Sequence, residues 1–441
     1  MFTNKDLKKL LVPLVIEQAL VMMVGIADTM MVSYAGEAAI SGVSLVDMVN
    51  NLIMFVLTAI ATGGAVIVSQ YLGNKDRNKT NYSASQLITL SVIIATVIML
   101  ICVIFSKLLL RILFGSVSTE VMHSSVTYFV ICSFSLPFLG LYNASAALFR
   151  SMSKTNVTMY VSLLMNLINV VGNAIGIFVF EAGVVGVAVP TLISRIVVGV
   201  VMFYFTLNRK NQIYVQIKQV FSWNIDLVKR ILAIAVPNGI ENGLFYLGKV
   251  VVTSIIALFG TTQIAANGVS NSINQIVPIV VNAINLGIVT VVGRCVGANE
   301  YEQADYYIKK LMKISYIATA VLNIVVFLAL PIIFNFYSLS PEVEKMCYVL
   351  VIWHNIMAML LHPTSFVLAN GIRAAGDVKY TMYSGIFSMV VFRLGAAILF
   401  GIVLNYGIYG VWIAMGLDWL SRSLLFLNRY RSNKWEEFKA I

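Results

Sequence analysis

The chain has 441 residues, of which 59% are hydrophobic and only 11% are charged, whereas a soluble domain is typically about 25% charged and under 50% apolar. This composition excludes a soluble globular protein and indicates a membrane protein with little room for an extramembrane domain. The net charge of +11 would suggest a polyanionic partner for a soluble protein. In a membrane protein, it is better explained by an unequal distribution of charge across the bilayer.

Apolar runs separated by polar clusters predict twelve membrane-spanning helices, because a span needs roughly 20 apolar residues. The first six lie at about 10–34, 45–70, 84–106, 123–149, 157–180 and 184–207, and the other six at about 231–258, 268–293, 311–337, 346–370, 380–404 and 408–428. The longest polar connection falls between the sixth and seventh spans. The sequence therefore predicts an N-terminal six-helix lobe over 1–207, a cytoplasmic linker over 208–230 and a C-terminal six-helix lobe over 231–441.

The basic residues support these spans and their orientation. With the N-terminus taken as cytoplasmic, 24 of the 30 Lys and Arg residues fall in or near cytoplasmic segments. Only Lys107, Arg111 and Lys345 fall outside, and Arg195, Lys249 and Arg393 lie within spans. Because cytoplasmic loops carry an excess of Lys and Arg, this asymmetry predicts a multi-pass protein with both termini in the cytoplasm.

The two halves of the sequence resemble each other. Because each half has an even number of spans, both insert in the same sense and are related by an axis along the membrane normal. We therefore expect an all-α membrane protein with twelve transmembrane helices in two pseudo-symmetric six-helix bundles around a central cavity. One constant offset aligns Pro13 with Pro237, Glu17 with Glu241, Gly36 with Gly260, Asn50 with Asn274, Gly63 with Gly287 and Gly183 with Gly407, and an offset shorter by a single position aligns Arg150 with Arg373 and Thr158 with Thr381.

The first span contains two carboxylates, Glu17 and Asp28. Eleven residues are about three helical turns, so both lie on nearly one face, roughly 16 Å apart in depth. Ionisable groups inside a span are costly and are functional candidates by default. We expect Asp28 to bind or exchange an ion, with a structural pair as the alternative. Glu17 lies closer to the inner interface, where it either serves the substrate cavity or is simply hydrated.

Amide side chains form stripes along three spans. Steps of three and four residues place most of each stripe on one helical face. Two interpretations remain open, contact with a substrate or hydrogen bonding between helices. The candidates are Asn50 in span two, Asn169 and Asn173 in span five, and Asn274 and Gln275 in span eight.

Three further spans in the two halves carry charged residues. Span seven contains Glu241 and Lys249, and span eleven contains Arg393. For Lys249 and Arg393 we weigh substrate contact or pairing with a carboxylate against a packing role, including snorkelling of Lys249. Arg195 in span six is open to the same two interpretations.

Two motifs that would indicate enzymatic chemistry fail. The segment from Gly243 to Lys249 is close to a nucleotide-binding loop, but Val250 replaces the required Ser or Thr and no strand precedes it. The three histidines lack the HExxH spacing of a zinc hydrolase, and the four cysteines have no paired spacing. We expect no enzyme, no metal site and no cofactor, so that active transport would draw on an H⁺ or Na⁺ gradient.

Several segments carry a resemblance to a known family. PLVIEQALVMMVGIADTMMVSYAGEAAISGVSLVD from Pro13, GGAVIVSQYLGNKD from Gly63 and FRSMSKTNVTMYVSLLMNLINVVGN from Phe149 resemble the multidrug and toxic compound extrusion (MATE) family. GIRAAGDVKYTMY from Gly371 and GVWIAMGLDWLSR from Gly410 resemble its closing motifs. The sequence looks closest to the bacterial branch named for DNA-damage-inducible protein F.

The resemblance implies twelve helices in two lobes and export of organic cations in exchange for protons or sodium. It implies that Asp28 matches the first-span carboxylate assigned to ion coupling and substrate release. Asn169 and Asn173 fall where some members of the family have Asn and Asp, respectively. This sequence therefore lacks the titratable carboxylate that those members have at the position of Asn173. Glu241 is a candidate site residue because the repeat aligns it with Glu17. The resemblance does not supply this assignment, since another branch of the family has its seventh-span glutamate about two turns further along.

We therefore expect a cation-coupled secondary antiporter that exports organic cations, drugs or metabolites by alternating access. The alternative is a flippase for lipid-linked precursors, which the cations Lys249, Arg195 and Arg393 would favour. The expected partners are a small-molecule substrate and the lipid bilayer of the bacterial cytoplasmic membrane. We expect no nucleic acid partner, and a monomer.

Overall fold

The computed structural model describes residues 1–115, 117–335 and 339–441, and at position 29 the backbone only. Each regular element in these ranges is a helix. Contacts divide the described chain into two compact units, whose main segments are Phe2–Gly239 and Ile240–Ala440. Each unit is described separately below.

The N-terminal unit is built from long helices joined by short turns. Thr3 caps the first helix, since its hydroxyl oxygen accepts a hydrogen bond from the Asp6 amide while the Asp6 carboxylate accepts one from the Thr3 amide. The helices are α1 (Asn4–Ser33), α2 (Glu37–Gly73), α3 (Arg77–Ile104), α4 (Ser106–Phe114), α5 (Thr119–Ser133), α6 (Leu136–Ser151), α7 (Thr155–Ala174), α8 (Val185–Thr206), the short α9 (Ile217–Val220) and the first part of α10 (Ile225–Ala257).

The C-terminal unit starts within α10 and contains several interrupted helices. Its other helices are α11 (Thr261–Asn274), α12 (Pro278–Gly297), α13 (Tyr301–Asn335), α14 (Pro341–His362), α15 (Leu368–Ala375), α16 (Val378–Ser388) and α17 (Gly407–Arg431). A π-helical turn, Pro363–Val367, joins α14 to α15, and α16 continues into the π-helical segments Met389–Gly395 and Ala397–Val403.

The predicted number of spans is confirmed. Within the described ranges, eleven helical segments are long and apolar enough to cross a bilayer, and the pair α5–α6 makes a twelfth. That pair is bent by 48° at Phe134 and Ser135, close to Pro137, whose missing amide and ring disfavour a continuous helix. The run predicted at 268–293 is likewise split into α11 and α12, just before Pro278.

The division between the units lies inside α10, after Gly239. The first half of this helix packs closely on α2. A β-carbon added at Gly63 would lie 2.7 Å from the carbonyl oxygen of Ile231, and one added at Gly239 would lie 3.3 Å from the Ala59 side chain. Glycine at these positions therefore lets the two helices approach each other, which ties the start of α10 to the N-terminal unit.

The segment predicted as a linker is fastened to α3. The Gln86 amide nitrogen donates to the carbonyl oxygens of Gln219 (3.0 Å) and Ser222 (2.5 Å), and its oxygen accepts from the Asn224 amide (3.0 Å). Thr89 also donates to the carbonyl oxygen of Val220 at 2.7 Å. Residues 219–224 are thus held by side chains of one helix.

The internal repeat is visible in the backbone. The turn glycines Gly36 and Gly260, which the repeat aligns with each other, have φ of 103° and 99°. Such values lie in the region that only glycine adopts without strain, which explains why both positions are glycine. Gly183 and Gly407 share a φ of 56°, and the non-glycine pair Lys75 and Asn299 have 59° and 60°. The two halves therefore repeat the same turns with the same offset.

Replacing Gln86 by Met tests how residues 219–224 are held. The substitution preserves the side-chain volume but leaves three backbone groups without their partner. We expect it to lower stability by about 2 kcal/mol, measured as a lower melting temperature in detergent together with faster proteolysis between residues 208 and 224. The matched control is Gln219→Met, since the Gln219 side-chain oxygen has no hydrogen-bond partner in the described structure. Equal stability of the two variants would contradict the assignment.

Candidate functional site

The carboxylate of Asp28 on α1 lies beside two amides of α7. The Asn173 side-chain nitrogen donates to Asp28 Oδ1 at 3.0 Å. With its amide nitrogen turned toward Asp28, Asn169 lies 2.9 and 3.0 Å from the two carboxylate oxygens, and its oxygen accepts from the Thr191 hydroxyl at 3.0 Å. The structure thus brings together the three residues predicted for ion coupling.

The sequence of α7 explains this grouping. Asn169 and Asn173 are four residues apart and therefore lie on one helical face, and both are buried. The helix changes to a π-helical turn, Ile175–Val179, directly after this face. Such turns are frequent at functional sites.

Asp28 and Asn169 line a cavity of about 270 Å³ inside the N-terminal unit. Its ionisable lining includes two carboxylates, Asp28 and Asp47, and one guanidinium, Arg195. Arg195 is held by a hydrogen bond of 2.9 Å from its Nη1 to the hydroxyl of Ser135. With Arg195 protonated and both carboxylates ionised, the cavity carries one net negative charge, which favours a cation. The lining also includes Tyr128, Asn166, Asn169, Thr191 and Ser194.

Of the other two predicted residues of this unit, Asn50 lies beside a residue of the cavity lining and Glu17 lies apart from the cavity. Asn50 is one turn beyond Asp47 on α2 and faces it. Glu17 is buried elsewhere: the Thr158 hydroxyl donates to its Oε2 at 2.9 Å, and Arg150 Nη1 is 4.0 Å from its Oε1. The lining of the cavity, among the described residues, includes neither Glu17 nor Asn50.

In the C-terminal unit, Glu241 belongs to a buried ion-pair network. Arg373 Nη2 is 2.6 Å from Glu241 Oε2, and Arg422 Nη1 is 3.7 Å from Glu241 Oε1. Glu241 and Arg373 correspond to Glu17 and Arg150 in the first repeat, so the same ion pair is built twice. The second version is shorter, and its arginine is more buried.

The network continues through Asp418 on α17. Arg422 Nε donates to Asp418 Oδ1 at 3.0 Å, and the Ser388 hydroxyl donates to the same oxygen at 2.6 Å. Arg393 Nη1 lies 3.8 Å from Asp418 Oδ2. Lys249 is exposed and lies over the Phe245 ring, with Nζ 5.0 Å from its centroid.

The predicted amides of span eight lie at the end of α11. Asn274 is buried, and neither its amide nitrogen nor its oxygen has a hydrogen-bond partner within the described structure. Gln275 follows at the helix end and is exposed. Asn274 and Gln275 thus lie where the helix is interrupted before Pro278.

Sequence reasoning missed several residues that the structure brings to these sites. Asp418 lies within the run 408–428, so the same cost of an intramembrane charge would have identified it. Arg150 and Arg373 lie just beyond the predicted ends of their spans and Arg422 lies near the end of its span, so all three count with the cytoplasmic residues. The structure nevertheless pairs all three with carboxylates inside their units. Asp47 lies one turn before Asn50 in span two, but its closeness to Asp28 depends on the packing of α1 against α2.

Comparison with known proteins gives matches along most of the chain. The family model described as MatE matches residues 13–175 and 237–415. An uncharacterized transporter, YisQ of Bacillus subtilis, is 29% identical over 96% of this chain and 93% of its own length. A probable multidrug resistance protein, NorM of Thermotoga maritima, is 26% identical over 98% and 93%.

A solved structure shares the fold. It is described as the outward-facing conformation of a multidrug resistance MATE family transporter of the MOP superfamily, and it superposes with a TM-score of 0.91. The match covers 98% of this chain and 96% of the solved chain, at 19% identity.

The two repeat-related ion pairs predict different contributions to stability. Replacing Glu241 by Gln removes the charge that faces both Arg373 and Arg422, and breaking such a buried pair typically costs about 3–5 kcal/mol. Replacing Glu17 by Gln removes one contact of 4.0 Å and is expected to cost less. Thermal unfolding of both variants in detergent tests this order, and equal melting temperatures would contradict it.

Proposed function

We propose that this chain, which belongs to the MatE family, is a cation-coupled secondary antiporter. It exports organic cations, drugs or metabolites by alternating access. The names of its relatives, including probable multidrug resistance protein NorM, support a small-molecule substrate of this kind. The many apolar helices make it a multi-pass membrane protein.

The observation that carries the proposal is the Asp28 carboxylate in an acidic cavity. Asp28 contacts the amides of Asn169 and Asn173, which are neutral, so its charge remains available to a cation. Ionisable groups at such positions mark ion and substrate pathways in transporters. A coupling ion and a cationic substrate that compete for this one carboxylate cannot both be bound well, and that competition produces exchange.

The coupling ion in this proposal is H⁺ or Na⁺. A proton neutralises Asp28 directly. A sodium ion would be bound by the Asp28 carboxylate and the Thr191 hydroxyl oxygen, with the Asn169 side chain turned so that its oxygen, instead of its nitrogen, faces Asp28. Because position 173 is Asn, Asp28 is the titratable group of this trio.

Other predicted residues enter the proposal as substrate contacts. Asn50 adjoins Asp47 at the N-terminal cavity, and Glu17 supports the same unit through Arg150. In the C-terminal unit the proposed contacts are Glu241, Lys249, Asn274, Gln275 and Arg393.

The proposed location is the bacterial cytoplasmic membrane, with both termini on the cytoplasmic side and the lipid bilayer as surroundings. The excess of basic residues in the segments assigned to the cytoplasm supports this orientation. We propose that the protein acts as a monomer, since each unit has its own buried core.

Replacing Asp28 by Asn tests the proposal. The variant retains a polar group of nearly the same size but cannot ionise, so we expect gradient-driven export of tetraphenylphosphonium to fall at least tenfold. The measurement uses inverted membrane vesicles with an imposed proton gradient or an imposed sodium gradient, and the gradient that drives wild-type transport identifies the ion.

The matched control is Asp226→Asn, an exposed carboxylate in the first turn of α10, which should export at the wild-type rate. Export at the wild-type rate by Asp28→Asn would refute the assigned role of Asp28. Failure of both gradients to move any of a broad panel of organic cations would refute the antiporter itself.

A further inference from the structure

A group of ionisable side chains in the C-terminal unit contains more positive than negative charge. Glu241 is paired with Arg373, and Asp418 with Arg422, so these four charges balance. Two cations remain beyond this balance. The whole group comprises Glu241 and Lys249 on α10, Arg373 on α15, Arg393 in the π-helical segment, and Asp418 and Arg422 on α17.

Arg393 is buried without adequate partners. Its side chain is 11% exposed, and neither Nε nor Nη1 has a hydrogen-bond partner among the described residues. The nearest carboxylate oxygen, Asp418 Oδ2, is 3.8 Å away and also lacks a hydrogen-bond partner. Because a buried charge is costly unless it is paired and hydrogen-bonded, this guanidinium has donors available for an anion.

Lys249 adds a second available cation. It forms no ion pair within 4 Å in the described part of the chain, and it lies within electrostatic range of Arg393 and Asp418. It is exposed and lies about two turns before the end of α10. A lysine within a span is costly against hydrocarbon, so we expect Lys249 to face a hydrated space that a solute can enter.

Aromatic rings lie beside this group of charges. The Arg422 guanidinium carbon lies 4.9 Å from the Phe245 ring centroid, and Phe245 meets Phe366 edge-on at 6.3 Å. The Trp419 and His362 ring centroids are 5.0 Å apart, and the buried Trp419 Nε1 has no hydrogen-bond partner in the described structure. Such walls stack well on a planar ring, while the cations bind an oxyanion.

The repeat shows that this charge pattern is specific to the second half. With the offset that aligns Glu17 with Glu241, Asp28 corresponds to the apolar Val252, and Asp47 to the neutral Asn271. The acidic residues of the N-terminal cavity thus have no acidic counterpart. Conversely, two neutral residues of that lining correspond to ionisable ones: Gly25 to Lys249 and Ser194 to Asp418.

We propose that the C-terminal unit contains an anion-binding site, centred on Lys249 and Arg393, that binds the carboxylate of an amphipathic aromatic solute. The guanidinium of Arg393 supplies paired N–H donors whose planar geometry matches a carboxylate. Lys249 supplies a flexible second charge, and the aromatic residues contact the ring. That this solute is transported rests on the proposed function, whereas its binding to the site does not.

Binding to the purified full-length protein tests the site. The protein is placed in nanodiscs of zwitterionic phosphatidylcholine, and anthracene-9-carboxylate is compared with its neutral carboxamide by quenching of tryptophan fluorescence. We expect the carboxylate to bind at least tenfold more tightly than the carboxamide, because hydrogen bonds to charged groups are the stronger ones.

Variants then assign the binding to the two cations. Lys249→Gln and Arg393→Gln are each expected to raise the Kd of the carboxylate about tenfold and to leave the Kd of the carboxamide unchanged. Lys345→Gln, an exposed lysine at the start of α14, is the matched control and should bind like the wild type. Equal Kd values for acid and amide, or wild-type binding by Lys249→Gln, would overturn the proposal even if Arg393→Gln did not fold.

Two further comparisons separate this site from the Asp28 cavity and from lipid binding. Asp28→Asn should bind the carboxylate with the wild-type Kd. The proposal of an anion site would therefore remain valid even if Asp28 did not control export. In nanodiscs containing anionic phosphatidylglycerol, carboxylate binding should persist. Its complete loss there would mean that a lipid headgroup occupies the site, and would overturn a soluble carboxylate as the ligand.

Discussion

An ionised side chain within a membrane span must find a partner, and this constraint organises both units. An unpaired charge at the centre of a span costs about 2.5–3.5 kcal/mol on insertion scales. Glu17 and Glu241 meet the constraint through Arg150 and Arg373, and Asp418 meets it through Arg422. Asp28 differs, because neutral amides are its hydrogen-bond partners. A carboxylate without a bound guanidinium is the group whose charge a passing cation can neutralise.

The repeat gives the two units one backbone plan and different chemistry. Their turns share φ values at repeat-related positions, from Gly36 and Gly260 to Gly183 and Gly407. The glutamate–arginine pair also recurs, which assigns it to the common framework. The charges that differ between the halves, Asp28 in one and Lys249 in the other, therefore give the two units their different chemistry.

The sequence predicted the features that depend on local pattern. Apolar runs indicated the spans, the constant offset between the halves identified the paired glutamates, and the spacing of Asn169 and Asn173 placed them on one face. Features that depend on packing between distant segments were not predictable. Each of three features requires knowing which helices are neighbours: the partners of Asp418, the approach of Asp47 to the same cavity as Asp28, and the attachment of residues 219–224 to Gln86. Arg422 illustrates the limit: the count of basic residues assigns it to the cytoplasmic side although it lies in the predicted run 408–428, and the structure buries it and pairs it with Asp418.

The central claim is that a coupling ion and a cationic substrate compete for Asp28, and equilibrium binding tests it most directly. The Kd of the purified protein for tetraphenylphosphonium is measured across pH without sodium, and across sodium concentrations at fixed pH. Thermodynamic linkage predicts that one of the two ions raises this Kd, approaching tenfold for each tenfold rise in ion concentration once the ion saturates its site. It also predicts that Asp28→Asn removes the dependence. A wild-type Kd that responds to neither ion, or an unchanged dependence in Asp28→Asn, would contradict the account.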